Sequence, residues 1–166
     1  MAVYLDNAAT TPIAPEVVEA MLPVLQDGFG NPSSTHSFGR KTKALIETSR
    51  RSIAKHLNCQ PSELIFTSGG TEADNMALTS AVLHYGAEHI ITSEIEHKAV
   101  IAASDALAKT HGVKVSYVKL DSNGAVDLND LERLLQGDQK KIVSLMHANN
   151  EIATLLPIKK VRELCK

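Results

Sequence analysis

The pattern of apolar and polar positions predicts two leading helices and then alternating strands and helices. The leading helices span residues 15–25 and 39–57, separated by a turn-rich loop at residues 27–34. The predicted strands span residues 64–67, 89–93, 113–120 and 141–147. The later predicted helices span residues 72–85, 98–110, 128–135 and 158–166. This alternation predicts an α/β fold, with a mostly parallel sheet flanked by helices on both faces.

The junction at residues 68–75, Ser-Gly-Gly-Thr-Glu-Ala-Asp-Asn, lies where a predicted strand passes into a helix. Gly69 and Gly70 allow a sharp turn and close approach by a ligand, and Thr71 can add a hydroxyl donor. The first N–H groups of a helix lack partners inside it, and the helix dipole is positive at that end. Such a junction can therefore bind an anion, commonly a phosphate. On the glycine pair alone, an ordinary strand-to-helix turn remains an alternative.

Two further polar residues follow later strands of the predicted sheet. His97 follows the strand at residues 89–93, and Asn150 follows the strand at residues 141–147. Ligands of open α/β sheets bind at the carboxyl ends of strands, so these side chains are predicted to converge with Gly70 and Thr71. An imidazole can stack on a flat ring or move a proton near neutral pH. The Asn150 amide can bind a phenolate or carboxylate oxygen, and a turn-capping role is the open alternative.

Composition narrows the classes of function. The net charge of −2 argues against a general nucleic-acid binder. No apolar run approaches the roughly 20 residues that span a bilayer, and the N-terminus lacks the pattern of a secretory signal. Neither nucleic acid nor a membrane is therefore an expected partner. The two cysteines, Cys59 and Cys165, form neither a disulfide framework nor a metal-ligand pattern, so no metal is expected and a cytoplasmic location is the default.

Five segments, in order, resemble the signature motifs of cysteine desulfurases. The segments begin at Tyr4 (YLDNAATTP), Gly30 (GNPSS), Phe66 (FTSGGTE), Glu96 (EHKAV) and Met146 (MHANNEI). The similarity extends over essentially the whole chain and is strongest to NifS/IscS-like desulfurases. These enzymes belong to the class V aminotransferase group of fold-type I pyridoxal 5'-phosphate enzymes.

The resemblance implies an activity and a role for each matching residue. The activity is conversion of L-cysteine to L-alanine and an enzyme persulfide, which supplies sulfur to iron–sulfur cluster or thiolation pathways. Gly70 and Thr71 would bind the cofactor phosphate. His97 would stack on the pyridine ring and act as the catalytic acid–base group, and Asn150 would contact the phenolic oxygen. Ala153 stands where the family more often has glycine, which is expected to alter a turn and leave Asn150 in place.

The resemblance also implies a domain organisation. Residues 1–14 would line the substrate side of the site, and residues 15–166 would form a partial cofactor-binding large domain. The family's Schiff-base lysine and sulfur-accepting cysteine have no counterpart here, because Lys98, Cys59 and Cys165 do not match those positions. The chain therefore resembles an N-terminal half that is not catalytically complete without a C-terminal half. Alone, it is expected to fold poorly or to associate strongly.

The partners implied by the resemblance are a second copy in a homodimer and a sulfur-acceptor or scaffold protein. Two alternatives to the desulfurase remain open. One is a non-catalytic product of a truncated or split gene that acts as an assembly partner. The other is a selenocysteine lyase or a related class V aminotransferase, because no residue here distinguishes the substrates.

Overall fold

The computed structural model describes residues 2–166. Its elements in chain order are α1 (Pro15–Asp27), α2 (Ser37–Leu57), a 3₁₀ turn (Pro61–Glu63), α3 (Gly70–Leu83), β1 (His89–Thr92), α4 (Lys98–His111), β2 (Lys114–Tyr117), α5 (Leu128–Leu135), β3 (Lys141–Val143) and α6 (Ile158–Leu164). The chain forms two compact units, one ending at Phe66 and the other spanning Thr67–Lys166. No helix within residues 2–166 combines the length and apolarity needed to cross a membrane.

The second unit contains a parallel sheet of three strands in the order β2-β1-β3. In the central strand, Ile90 is in register with Val115 on one side and Ile142 on the other. β1 and β2 are joined through α4, which is the crossover that parallel neighbours require. The mostly parallel α/β sheet predicted from the sequence is confirmed.

Helices cover both faces of this sheet. Successive side chains of a strand point to opposite faces, so two neighbouring buried residues show that both faces are covered. Ile90 and Ile91 are both fully buried, and each belongs to a different apolar cluster. The cluster around Ile90 includes Leu78 and Val82 of α3 with Val100, Ala103 and Leu107 of α4. The cluster around Ile91 includes Leu131 of α5 and Val161 of α6. The sheet therefore has α3 and α4 on one face and α5 and α6 on the other.

The first unit consists of α1, α2 and the segments around them. α1 has no buried residue, and α2 buries only Gly39 and Ala54. The His36 side chain caps α2, with its Nδ1 accepting from the Gly39 N–H at 3.3 Å. A methyl group on Gly39 would collide with the carbonyl oxygens of Asn31 and Ser34, so this position in the first turn of α2 requires glycine.

The strand predicted at residues 64–67 is wrong. Leu64 has an extended backbone (φ −98°, ψ 128°), but no strand within residues 2–166 pairs with this segment. Its carbonyl oxygen instead accepts a hydrogen bond from the Arg50 guanidinium at 2.5 Å, and that guanidinium also lies 4.6 Å from the centre of the Phe66 ring. Ile65 remains 69% exposed. β-favouring residues make a strand only where a neighbouring strand accepts their hydrogen bonds.

β2 and β3 are shorter than the sequence pattern predicts. They end at Tyr117 and Val143, although strands were expected to continue to residues 120 and 147. The central strand ends at Thr92. In its last hydrogen bonds to the outer strands, the Thr92 carbonyl accepts the Val118 N–H (2.8 Å) and the Ile91 carbonyl accepts the Ser144 N–H (2.9 Å). Beyond that point neither outer strand has a partner within the described sheet.

Candidate functional site

The N-terminus of α3 presents unpaired backbone donors. Gly69 precedes the helix in an extended conformation, and no side chain caps it. The first helical N–H with a partner is that of Ala73, which donates to the Gly69 carbonyl at 3.1 Å. Within residues 2–166 the N–H groups of Gly70, Thr71 and Glu72 have no acceptor. Apart from the adjoining residues and the helix's own backbone, no atom lies within 4 Å of the position a Cβ would take on Gly69 or Gly70. No other part of the described chain therefore covers these two glycines, and an anion can approach the donors.

The acidic side chain in this turn is bound to the segment that precedes it. The Glu72 carboxylate accepts the Ser68 N–H at 2.6 Å and the Ser68 hydroxyl at 2.7 Å. The hydrogen bond from the Ser68 N–H, followed by that from its hydroxyl, lowers the pKa of Glu72. Glu72 thus holds the turn closed while the three N–H groups at the helix start remain available.

His97 is the N-cap of α4, directly after the loop that follows β1. Its Nδ1 accepts the Ala99 N–H at 3.2 Å. Because Nδ1 uses its lone pair as an acceptor, the neutral ring carries its proton on Nε2. The residue is exposed, so Nε2 is open to a ligand.

Asn150 is exposed in the loop that follows β3, and the residue before it is buried. The Asn149 Nδ2 donates to the Ile95 carbonyl at 2.9 Å, which joins this loop to the loop that follows β1. A second link runs from the Met146 N–H to the Glu96 Oε1, also at 2.9 Å. The structure therefore brings together the two loops that carry His97 and Asn150.

The start of α3 lies at the same edge of the sheet. At the other end of the helix, the Tyr85 carbonyl accepts from the Lys140 Nζ at 3.3 Å, and Lys140 immediately precedes β3. The C-terminal end of α3 is thus at the amino edge of the strands, and α3 packs along α4. Gly70 and Thr71 consequently lie toward the carboxyl edge, as His97 does. Assignment of these residues to a cofactor remains a prediction.

Sequence reasoning missed the roles of Glu96 and Asn149. The sequence motifs contain both residues but assign neither an anchoring role, yet both are buried, at 9% and 7% exposed. The available signal was that each polar residue directly precedes a candidate site residue. Their partners, however, lie about 50 residues away in sequence, and spacing alone does not reveal such contacts.

Ala153 adopts a left-handed backbone, with φ of 59°. Its N–H donates to the Asn149 carbonyl at 3.0 Å, and the Asn149 N–H donates to the Thr154 carbonyl at 2.9 Å. The turn is therefore closed by an alanine in a conformation that favours glycine. Alanine here strains the turn, and the backbone bonds around Asn149 are present.

The other residues considered as reactive groups have ordinary positions. Lys98 is exposed in the first turn of α4. Cys165 is exposed and Cys59 is half-buried, and both are unpaired. Across residues 2–166 no group of three or more His, Cys, Asp or Glu side chains is placed to hold a metal ion.

Comparison with known protein families identifies the family of this chain. The family model for class V aminotransferases matches residues 3–166. The chain therefore belongs to the class V aminotransferase family, whose members depend on pyridoxal 5'-phosphate.

Within that family, the chain is similar to cysteine desulfurases. It is 48% identical to the cysteine desulfurase IscS of Dictyoglomus turgidum and 45% identical to the cysteine desulfurase IscS of Clostridium botulinum. Each alignment includes 99% of this chain but only 42% and 41% of those proteins. The chain thus spans less than half the length of these relatives.

Solved structures show the same fold. A NifS-like protein that is 39% identical superposes with a TM-score of 0.91, covering 100% of this chain and 46% of that one. SspA, solved in complex with cysteine, is 32% identical and has a TM-score of 0.88, covering 97% of this chain and 46% of its own. The resemblance inferred from the motifs is confirmed, as is the fold of the pyridoxal-phosphate transferases.

Proposed function

We propose that this chain forms the phosphate-binding part of a pyridoxal 5'-phosphate-dependent cysteine desulfurase, which converts L-cysteine to L-alanine and an enzyme persulfide. The observation that carries the proposal is the open N-terminus of α3, where Gly70, Thr71 and Glu72 present unpaired N–H groups. Its support is the similarity to cysteine desulfurases along the whole of the chain. Iron–sulfur cluster assembly or thiolation would use the sulfur.

The residues present fit the phosphate of the cofactor. Backbone N–H groups and a positive helix end stabilise a phosphate without a side-chain cation. The exposed Thr71 hydroxyl adds a donor beside them. The clear space at Gly69 and Gly70 lets the phosphate oxygens approach the backbone closely.

His97 and Asn150 would act on the ring side of the same site. When bound, the cofactor supplies an electron sink for the substrate Cα. His97 would hold or move a proton at Nε2, because its Nδ1 is occupied by the Ala99 N–H. The Asn150 amide would donate to the phenolic oxygen and orient it. Residues 2–14 would line the substrate side together with Met1, which lies outside the described residues.

The remaining reactive groups would come from elsewhere in the functional protein. The Schiff-base lysine and the sulfur-accepting cysteine would be provided by a C-terminal half, in a homodimer, with residues 15–166 as part of the large domain. A sulfur-acceptor or scaffold protein would receive the persulfide sulfur. We place the protein in the cytoplasm, where a persulfide-forming thiol stays reduced.

The test is a titration of the purified protein with pyridoxal 5'-phosphate, followed by absorbance. Thr71→Val should weaken binding about tenfold, the effect of one lost hydrogen bond to a charged group. Thr110→Val is the matched control, since Thr110 is an exposed threonine in the last turn of α4, and it should bind as the parent does. A parent that binds no cofactor, or a Thr71→Val variant with full affinity, would contradict the proposal.

A second assay addresses the substrate. The protein should release alanine from L-cysteine when the complete polypeptide and cofactor are present. Release of selenium and alanine from selenocysteine, without turnover of cysteine, would replace the desulfurase by the lyase. Binding of the cofactor without any turnover would favour a non-catalytic assembly partner.

A further inference from the structure

We propose that Glu96 and Asn149 are positioning residues that cross-link the loop after β1 to the loop after β3. The cross-link would hold His97 and Asn150 in their relative positions before a ligand arrives. The roles of His97 and Asn150 in this statement rest on the proposed function. The cross-link itself rests only on contacts within the second unit.

Asn149 forms one half of the cross-link, and its side chain is fully used. Its Nδ2 donates to the Ile95 carbonyl at 2.9 Å and lies 3.0 Å from the Met146 Sδ. Its Oδ1 accepts the N–H groups of Glu151 at 2.8 Å and Ile152 at 3.0 Å. An amide has two donor hydrogens and one acceptor oxygen with two lone pairs, so all four capacities are satisfied. Asn149 therefore shapes the turn containing Asn150 and ties it to the other loop.

Glu96, in the loop after β1, forms the other half of the cross-link. Its Oε1 accepts the Ser93 hydroxyl and the Met146 N–H, each at 2.9 Å. The carboxylate thus joins the loop after β1 to the backbone near the start of the loop after β3. It is buried, and a buried carboxylate is stable only when hydrogen-bonded.

The two links fix backbone that directly adjoins the candidate residues. Glu96 and Ile95 immediately precede His97, the N-cap of α4, and Asn149 immediately precedes Asn150. A residue next to a hydrogen-bonded anchor has few accessible backbone conformations. Positioning of this kind lowers the ordering cost of binding. Both anchors are buried, whereas both candidate residues are exposed.

The test measures amide hydrogen exchange by NMR in the complete purified protein. Glu96→Ala should speed exchange of the Met146 N–H at least about tenfold, because that N–H loses its acceptor. Glu96→Gln keeps an oxygen at the same place and should restore slow exchange. Asn149→Ala should speed exchange at Glu151 and Ile152. Asn149→Asp keeps the acceptor for these two N–H groups and should leave them slow, while it loses the donor to Ile95.

Asp130→Ala is the matched control. Asp130 is also a buried carboxylate, and it accepts a backbone N–H from a distant segment, that of Lys119 at 3.0 Å. The control should speed exchange at Lys119 and leave Met146, Glu151 and Ile152 unchanged. Unchanged exchange at Met146 in Glu96→Ala would overturn the cross-link.

A second readout separates positioning from a purely structural role. Glu96→Ala and Asn149→Ala should weaken binding of pyridoxal 5'-phosphate about tenfold, because the loops must then be ordered on binding. Glu96→Gln and Asp130→Ala should bind as the parent does. Faster exchange with parent-like affinity in both alanine variants would overturn the positioning role. A parent that binds no cofactor would overturn the proposed function, and the exchange rates would still decide whether the cross-link exists.

Discussion

The two compact units of this chain differ in how far they bury their apolar side chains. In the unit spanning Thr67–Lys166, a parallel sheet buries apolar clusters on both faces, and Ile90, Ile91 and Leu131 are at or near zero exposure. In the unit that ends at Phe66, α1 has no buried residue, and Leu25 is 75% exposed. The second unit therefore has buried apolar clusters of its own, whereas α1 of the first unit leaves its apolar side chains exposed.

The difference shows that amphipathic periodicity predicts which face of a helix is apolar. It does not predict which element packs against that face. α1 and α2 were both predicted from sequence, and both are present. Yet burial arises only where another element lies opposite the apolar face. The candidate site residues Gly70, Thr71, His97 and Asn150 all lie in the unit that has such opposing elements. A rigid, packed scaffold is what a precisely positioned site requires.

The largest expected effect compares a buried leucine with an exposed one. Leu131→Ala should lower the free energy of unfolding by about 2–5 kcal/mol, because it leaves a cavity between α5 and the sheet. Leu25→Ala should change it by less than about 0.5 kcal/mol. Urea denaturation followed by circular dichroism measures both. Equal losses in the two variants would show that the units do not differ in packing.

The next effect concerns association of the 166-residue chain, which is expected to associate strongly on its own. Val18, Leu22 and Leu25 are exposed at helical spacing on α1. Replacing all three by serine should weaken self-association about tenfold or more, since apolar area drives it. Sedimentation velocity at several concentrations measures the change. Tyr85→Ser, at an equally exposed position in the second unit, is the control and should have little effect; a monodisperse parent monomer would refute the expectation.

A smaller effect is expected at two residues with a left-handed backbone conformation, one in each unit. Ala153→Gly should stabilise the protein by about 0.5–1 kcal/mol, because relief of the left-handed strain exceeds the added entropy of the unfolded chain. Asn58 has a φ of 53° at the end of α2. Asparagine tolerates this region, so Asn58→Gly should gain a few tenths of a kcal/mol at most. Thermal melts compare them, and a destabilised Ala153→Gly would mean that the turn is unstrained.

The smallest effect is a dependence of stability on pH through His89. This buried residue lies in register between Lys114 and Lys141, and its Nε2 is 2.9 Å from the Ser116 Oγ. Burial, and then the charges of the two lysines, lower the pKa of His89. Below its unfolded value of about 6.5, the unfolded chain binds a proton that the folded chain resists. Stability from this residue is therefore present above that pH and declines below it.

The measurement for His89 is urea denaturation of the parent and of His89→Asn over a pH series. The parent should lose stability as the pH falls below about 6.5. The variant should lose less over the same range, because the proton-binding group is gone. Identical pH profiles would show that His89 does not make the free energy of unfolding depend on pH.

Local signals accounted for the helices well, because their determinants lie within the helix itself. Asp127 is a residue type that N-caps favour, and its side chain accepts the N–H groups of Asn129 at 2.9 Å and Asp130 at 3.3 Å. Helix α5 accordingly has the predicted bounds. Strands were less predictable: residues 64–67 remain unpaired, and β2 and β3 end where the central strand ends.

The chain by itself determined the approximate helix positions, the parallel α/β class and the glycine-rich junction that contains Gly70 and Thr71. These features depend on neighbouring residues and on periodicity. Only the tertiary structure decided which strands pair and which residues anchor the site loops. The links from Glu96 to Met146 and from Asn149 to Ile95 join segments about 50 residues apart. Such contacts exist only after the sheet has brought its strand ends to one edge, and for that reason no local pattern encodes them.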